Sequence, residues 1–268
     1  MTGADPLELL AIATRIAREA GELAERMRKA GVAIQATKSN ALDIVTQADT
    51  AVESLIRARL KEVRPDDGFL GEESGEEPGA IGITWVVDPI DGTVNYLYGS
   101  PNYAVSIAAT ILDSEGFRVS LAGCVFSPEL SAEYTAAVGH PALLNGRPLR
   151  VNQGVPLDRA LVSTGIPYDL QQRKEVLDTF GELAPRVRDL RLVGSASLDI
   201  CGVAEGRTDA HFQRNLPVWD YAAASLIASQ AGAVVWGVDR RPPGGNLLLV
   251  ADTSLAQSLA PLLTKDLR

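Results

Sequence analysis

The chain has 268 residues, of which 46% are hydrophobic and only 5% aromatic, a composition typical of a well-packed globular protein. Its formal net charge of −9 argues against direct binding of nucleic acid, which needs a basic surface. No apolar run approaches the ~20 residues that span a bilayer, no secretory signal is recognisable, and the two cysteines, Cys124 and Cys201, favour reduced thiols in a cytoplasmic protein.

The first half of the chain is predicted to combine two amphipathic helices with a largely antiparallel sheet. Apolar residues recur at helical spacing over 7–27, where Asp5 can cap the helix and Gly31 can end it. A turn at 38–40 precedes a second helix that begins at Asp49. Further predictions are strands at 69–70, 83–87, 103–112, 117–126 and 131–138, a solvated loop at 76–79 and an Asn-Gly hairpin at 145–146.

The second half is predicted to alternate strands and helices, as in a mixed α/β structure. Residues 151–158 are polar and rich in turn formers, which makes them the candidate boundary between two subdomains, 1–151 and 152–268, of one domain. The predicted strands are 160–164, 188–193, 209–212, 233–236 and 247–250, and the predicted helices are 171–183, 194–206, 220–232 and 254–263.

An acidic turn follows the predicted strand 83–87. Pro89 is expected to end the strand, and Asp88 and Asp91 flank it in a turn that Gly92 closes. Carboxylates without neighbouring His or Cys suit a hard cation, above all Mg²⁺, and N–H groups at the start of a following helix suit a phosphate. The alternative is an ordinary turn in which Asp88 makes an Asx-type hydrogen bond.

Four ordered motifs resemble those of the inositol monophosphatase family. They are Val45-Thr-Gln-Ala-Asp49, Gly71-Glu72-Glu73-Ser74, Asp88-Pro-Ile-Asp91-Gly-Thr93-Val-Asn95 and Trp219-Asp220-Tyr-Ala-Ala-Ala224. The resemblance covers nearly the whole chain and implies a layered α-β-α-β-α sandwich of the sugar-phosphatase type, α+β in its first half and α/β in its second. It also implies a Mg²⁺-dependent hydrolase of myo-inositol 1-phosphate that is a homodimer and is inhibited by lithium.

The resemblance also implies which residues bind metal. Glu72, Asp88 and the Ile90 carbonyl are expected to hold one Mg²⁺, and Asp88, Asp91 and Asp220 a second, so that Asp88 bridges. A third, weaker ion is expected near Glu72.

Catalytic and phosphate-binding roles follow from the same resemblance. Thr93, paired with Asp49, is expected to orient and activate the attacking water, with Glu72 sharing that task. The N–H groups of Gly92 and Thr93 are expected to receive the phosphate, and Asp220 to contact the substrate hydroxyl beside it. From the residues alone, Asp49 also suits a helix N-terminus and Asp220 a helix N-cap.

The sequence departs from the family in the substrate pocket. Gly194, Ser195 and Ala196 match a family segment that lines the pocket, but Gln213 stands where members acting on inositol phosphate have Glu. Gln can hydrogen-bond a polyol but lacks the charge, and the adjacent Arg214 could favour a second anionic group. Histidinol phosphate, a nucleotide 3′-phosphate or a sugar phosphate are therefore alternative substrates.

The two histidines do not suggest a catalytic or metal-binding role. His140, in a predicted loop, and His211, in a predicted strand, have no neighbouring nucleophile in sequence, so neither a Ser–His–Asp hydrolase nor a zinc site is expected. By resemblance, Lys38 lies near the active site, but it could equally be a surface residue.

A non-catalytic binding role in a transcription complex is the alternative from another class of function, although the intact set of carboxylates weighs against a purely non-enzymatic protein.

Overall fold

The computed structural model describes residues 4–32, 34–37, 44–244 and 246–265. The first elements are α1 (Pro6–Ala30), β1 (Ile34–Thr37), β2 (Ile44–Thr46) and α2 (Gln47–Val63). The prediction for α1 is confirmed, because the Asp5 side chain accepts a hydrogen bond from Leu7 N and Gly31 ends the helix with a φ of 109°. The turn predicted at 38–40, with Lys38, lies outside the described residues.

The second helix begins slightly earlier than predicted. Thr46 is its N-cap, and Asp49, at the third helical position, accepts a hydrogen bond from the Thr46 backbone N–H in a capping box. The helix therefore starts at Gln47 and places Asp49 on its first turn.

The middle of the chain forms an antiparallel meander. Its elements are β3 (Gly68–Gly71), β4 (Gly75–Glu77), β5 (Thr84–Asp91), α3 (Thr93–Tyr98), β6 (Ala104–Leu112), β7 (Arg118–Ser127), β8 (Ala132–Ala137), β9 (Leu143–Leu144) and β10 (Arg147–Pro148). Eight of the described strands form one sheet in the order β10-β9-β8-β7-β6-β5-β3-β4, in which only the β3–β5 pair is parallel. The predicted hairpin is confirmed, with Asn145 and Gly146 at φ values of 49° and 77°.

Two predictions in this region were wrong. Strand β5 does not end before Pro89 but continues to Asp91, because its pairing with β6 shifts register between Asp88 and Asp91, and proline is tolerated where a bulge interrupts the ladder. Residues Gly75–Glu77 form an exposed edge strand rather than a loop, and the Glu77 carboxylate pairs with Arg57. Charged side chains on an edge strand discourage pairing with another chain.

The rest of the chain forms a mixed sheet with its helices. Its elements are β11 (Leu161–Thr164), α4 (Leu170–Leu183), β12 (Asp189–Arg191), α5 (Ala196–Ala204), β13 (Ala210–Gln213), α6 (Val218–Gln230), β14 (Val234–Trp236), β15 (Leu248–Ala251) and α7 (Thr253–Leu263). The strand order is β12-β11-β13-β15-β14. Strand β11 is parallel to both neighbours and the other pairs are antiparallel, so the predicted mixed half is confirmed.

The elements stack as the predicted α-β-α-β-α sandwich. Because side chains alternate along a strand, Val87 of β5 packs in one core with α1 and α2, whereas Val86 packs in another with α5 and α6. In β15, Val250 joins that second core, whereas Leu249 packs with α7 on the outer face of its sheet. In order, the five layers are therefore α1 with α2, the first sheet, α5 with α6, the second sheet, and α4 with α7.

The central layer is thin because α6 is rich in alanine. A Cβ atom added to Gly123 of β7 would lie 2.9 Å from the Cα atom of Ala223, so the helix packs directly on the strand backbone. This close packing brings the first turn of α6, the end of β5 and the start of α5 to one region. No helix in the described ranges has the length and apolar character needed to cross a membrane. The division near residue 151 stays a prediction.

Candidate active site

The acidic turn at the end of β5 is buried. Asp88 is only 2% exposed, and its Oδ1 accepts a hydrogen bond from Ile90 N at 3.0 Å, so the Asx-type bond considered as an alternative is present. Burial raises the pKa of the Asp88 carboxyl well above its usual range, and the charges of Glu72, Asp91 and Asp220 raise it further. The four predicted carboxylates are therefore close enough to act on one another's protonation.

Chemically, these residues fit a hard divalent cation. Their donors are all oxygens, the type that Mg²⁺ prefers, and the mutual repulsion that raises the pKa of Asp88 is what a bound cation relieves. In the described part of the chain, no three His, Cys, Asp or Glu side chains already converge as a compact ligand group. The individual metal assignments therefore stay predictions.

Glu72 reaches the site because of the parallel β3–β5 pair. Its backbone N–H donates to Val87 O at 3.2 Å, which fixes the end of β3 beside the end of β5. The next residue, Glu73, donates its N–H to Glu53 Oε2 at 2.8 Å. Glu72, and not Glu73, is among the residues that line the cavity described below.

Asp91 is held by the start of α5. Its Oδ2 accepts hydrogen bonds from Ser195 Oγ at 2.6 Å, from Ser197 N at 2.7 Å and from Ser197 Oγ, and its Oδ1 accepts one from Ala196 N at 3.1 Å. Burial raises the pKa of Asp91, although these donors lower it. From the sequence, Ser195 and Ala196 were predicted only to line the substrate pocket, and the contact of Ser197 with Asp91 was missed. The signal available in the sequence was the Ser-x-Ser pattern at the start of a helix.

Asp49 and Thr93 lie together as predicted. Thr93 Oγ1 is 3.2 Å from Asp49 Oδ1 and also 3.2 Å from Ile90 O. Asp49 is 1% exposed, and burial raises the pKa of its carboxyl, although hydrogen bonds from Thr46 and Thr93 oppose this shift. Asp49 therefore caps α2 through Oδ2 and faces Thr93 through Oδ1, and its catalytic role stays a prediction.

Gly92 occupies a position that only glycine fits well. Its φ of 93° is left-handed, and an added Cβ would lie 2.9 Å from Asn102 O and 3.0 Å from Gly194 O. Gly194 is also left-handed, with a φ of 85°. The two glycines let the acidic turn and the segment before α5 approach each other closely.

A cavity of about 480 Å³ collects most of the predicted residues, within the size range of small-molecule sites. It is lined, among others, by Glu72, Asp91, Gly92, Gly194, Ser195, Ala196, Gln213 and Asp220. The other predicted residues are Asp49, Asp88, Ile90 and Thr93, which belong to the acidic turn or contact it.

The substrate end of the cavity contains Gln213. Its Oε1 is buried and accepts no hydrogen bond from any described residue, and Gly165 leaves space for it, since an added Cβ there would lie 2.4 Å from that oxygen. Arg214, expected from the sequence to favour a second anionic group, is buried and donates from Nη2 to Leu263 O at 2.7 Å. At least one edge of its guanidinium is therefore committed to the end of α7.

Asp220 lies at the third position of α6, and Pro217 occupies the N-cap position. The N-cap interpretation of Asp220 was therefore wrong, and an acidic residue in the first turn is instead favoured by the helix dipole.

The histidines behave as expected for residues without a catalytic role. His140 is exposed. His211 is fully buried, its Nδ1 lies 3.0 Å from Ser163 Oγ, and burial lowers its pKa to about 3. Ser163 is also fully buried, so this Ser–His pair has no access to a substrate.

Comparison with known proteins agrees with this geometry. A model of the inositol monophosphatase family matches residues 5–268.

The chain belongs to this family.

An inositol-1-monophosphatase of Mycobacterium bovis is 40% identical over 267 residues, covering 92% of this chain and 90% of its own. A Nus factor SuhB of Pseudomonas aeruginosa is 38% identical over 233 residues, covering 85% and 84%. The crystal structure of the extragenic suppressor protein suhB from Bartonella henselae has a TM-score of 0.87 at 31% identity, covering 96% and 99%.

Family membership confirms the resemblance predicted from the four motifs and supports phosphatase activity for this chain.

Proposed function

We propose that the protein is a Mg²⁺-dependent phosphomonoesterase that hydrolyses myo-inositol 1-phosphate. The observation that carries the proposal is the carboxylate group around Asp88, whose pKa is raised by burial and by three further carboxylates. Those three, Glu72, Asp91 and Asp220, line a cavity of about 480 Å³. Concentrated negative charge beside a pocket for a phosphorylated molecule requires cations to reverse the local charge. The family is generally Mg²⁺-dependent.

In this proposal, Glu72, Asp88, Asp91, Asp220 and the Ile90 carbonyl hold the Mg²⁺ ions, two to three per subunit. When bound, the ions supply charge neutralisation for the phosphoryl oxygens and a water of lowered pKa. The protein supplies the oxygen donors and their spacing, and a change at Asp88 is expected to affect both of the ions that share this carboxylate.

Thr93 and Asp49 handle the proton of the attacking water. The Thr93 hydroxyl, 3.2 Å from Asp49 Oδ1, can orient the water and pass a proton toward that carboxylate. The raised pKa of Asp49 makes it a better proton acceptor than an ordinary aspartate. The N–H groups of Gly92 and Thr93 receive the phosphate, and Asp220 accepts the hydrogen bond of the substrate hydroxyl next to it.

Gln213 decides which phosphate ester fits. Its buried Oε1 can accept a hydrogen bond from a polyol hydroxyl, and its amide can donate one. The same neutral group would suit histidinol phosphate, a nucleotide 3′-phosphate or a sugar phosphate, which are the alternative substrates of the same chemistry.

A second candidate function is a non-catalytic role in a transcription complex, favoured by the relative in Pseudomonas aeruginosa that is named a Nus factor. A pull-down from lysate that retained a ribosomal or polymerase partner would support it. The proposed phosphatase is also expected to be a homodimer and to be located in the cytoplasm. Light scattering on the purified protein tests the homodimer.

The test is phosphate release with Mg²⁺ and with EDTA from a panel of five substrates. They are myo-inositol 1-phosphate, histidinol phosphate, adenosine 3′,5′-bisphosphate, fructose 1,6-bisphosphate and glycerol 2-phosphate. A lead of about tenfold in kcat/KM for inositol phosphate, roughly 1.4 kcal/mol, supports the proposal, and a different leading substrate replaces it by one of the alternatives. No Mg²⁺-dependent release from any of the five would refute the phosphatase assignment.

A further inference from the structure

We propose that Ser197 and Asn95 are positioning residues that hold Asp91 for metal binding by fastening the acidic turn to residues 193–197. The inference rests on the proposed metal role of Asp91. Neither residue has a role predicted from the sequence, although Asn95 stands in the acidic motif and Ser197 follows the predicted pocket segment.

The hydrogen bonds on Asp91 are unequally divided between its two oxygens. Oδ2 receives three donors, from the Ser195 hydroxyl and from both the N–H and the hydroxyl of Ser197. Oδ1 receives one, from Ala196 N at 3.1 Å. Since a carboxylate oxygen offers about two lone pairs, Oδ2 is fully used by α5, whereas Oδ1 keeps capacity for a cation. The donors thus select the oxygen that is available to a metal.

Asn95 secures the segment that carries these donors. Its Nδ2 donates to Asn102 O and to Val193 O, each at 2.8 Å, so both amide hydrogens are used. A Cβ added to Gly194 would lie 2.9 Å from this nitrogen, which shows how closely the segment passes over Asn95. The amide therefore links the end of the acidic motif to the residues that immediately precede α5.

These contacts join parts of the chain that are about a hundred residues apart. The turn belongs to the first sheet, whereas residues 193–195 lie between β12 of the second sheet and α5, and residues 196 and 197 are the first two of α5. Loss of the hydrogen bonds made by Ser197 or Asn95 should free the Asp91 side chain to rotate without exposing the core. Changes next to a metal ligand typically weaken metal affinity by about 10–100-fold, so a weaker Mg²⁺ affinity is the expected signature, with little change in fold.

Ser197→Ala is the most selective test. It removes one hydroxyl donor and leaves the backbone N–H bond to Asp91 intact, whereas Ser195 also caps α5 through a bond from Leu198 N at 3.4 Å. The matched control is Thr179→Val, which removes a buried hydroxyl that donates to Glu175 O at 3.0 Å within α4.

For Asn95→Ala, the matched control is Asn152→Ala. The Asn152 amide also bridges two acceptors, Gly206 O at 2.9 Å and Asp209 Oδ1 at 2.8 Å, but lies outside the site. The pair therefore compares loss of an equivalent bridge inside and outside the proposed metal region.

The experiment is a Mg²⁺ titration of the full-length variants by calorimetry, with melting temperatures recorded in parallel and kcat measured at saturating Mg²⁺. Ser197→Ala and Asn95→Ala should each raise the Mg²⁺ dissociation constant about tenfold or more, and the two controls should leave it unchanged. In a double variant with Asp91→Asn, Ser197→Ala should add no further loss of affinity.

The outcomes separate this inference from the proposed function. Wild-type Mg²⁺ binding with unchanged affinity in Ser197→Ala would overturn the inference and leave the proposed function standing. An equal loss in Thr179→Val would also overturn it, since the effect would then be one of general packing. Absence of Mg²⁺ binding by the wild-type protein would overturn both.

Discussion

Replacing Gln213 by glutamate tests the substrate assignment most directly. The two side chains have nearly the same shape, so Gln213→Glu should fit the space that Gly165 leaves. The change converts Oε1, which accepts no hydrogen bond from the described residues, into part of a carboxylate. A substrate hydroxyl bound there would then make a charge-assisted hydrogen bond.

The size of the effect follows from hydrogen-bond energetics. A neutral hydrogen bond contributes about 0.5–1.5 kcal/mol and one to a charged group about 1.5–3 kcal/mol, so the expected gain is about 1 kcal/mol, or roughly fivefold in kcat/KM. Burial at this position, where the present Oε1 is inaccessible, should raise the pKa of the introduced glutamate. Because only the ionised form gives the gain, it should be present above that pKa and lost as the pH falls through it.

The assay is the ratio of kcat/KM for myo-inositol 1-phosphate to that for glycerol 2-phosphate, measured from pH 6 to pH 9. The matched control is Gln172→Glu, which adds the same charge to another residue lining the cavity. A rise in the ratio for Gln213→Glu alone supports inositol phosphate as the substrate. A fall in that ratio, or an equal rise in both variants, would refute the argument.

Further expectations concern the proton acceptor, a buried histidine and lithium. Thr93→Val should lower kcat by about 10²–10⁴-fold, whereas Thr93→Ser, which keeps the hydroxyl facing Asp49, should retain most activity; comparable kcat values in the two variants would contradict the role. Burial lowers the pKa of His211 from 6.5 to about 3, so the unfolded chain binds the extra proton between these values and stability is lost as the pH falls through 6.5. Between pH 6.5 and 5.5, the free energy of unfolding measured with urea should therefore fall by about 1 kcal/mol less in His211→Gln than in the wild type. Equal decreases in the two proteins would contradict the lowered pKa of His211. Lithium at tens of millimolar should inhibit phosphate release, and full activity under those conditions would argue against a metal site like that of the family.

Most of the fold could be predicted because its signals are local. The α1 cap at Asp5 and the hairpin at Asn145-Gly146 depend on residues within one or two turns of each other, and both are confirmed. The errors in the first sheet arose where pairing with another strand decides the structure. Pro89 remains within β5 only because the ladder with β6 shifts register there, and no property of the turn itself reports that shift.

The chemistry of the site was determined by the sequence, and its assembly by the tertiary structure. The ordered acidic motifs identify the family and the oxygen-rich character of the candidate metal site. They do not show that Ser197 holds Asp91 or that Arg214 is anchored to Leu263, because those partners are distant in sequence. The first pair meets only when the first sheet packs beside α5, and the second only when α7 packs on the second sheet. A sequence motif fixes which groups are present, whereas the direction and partners of each group depend on long-range packing.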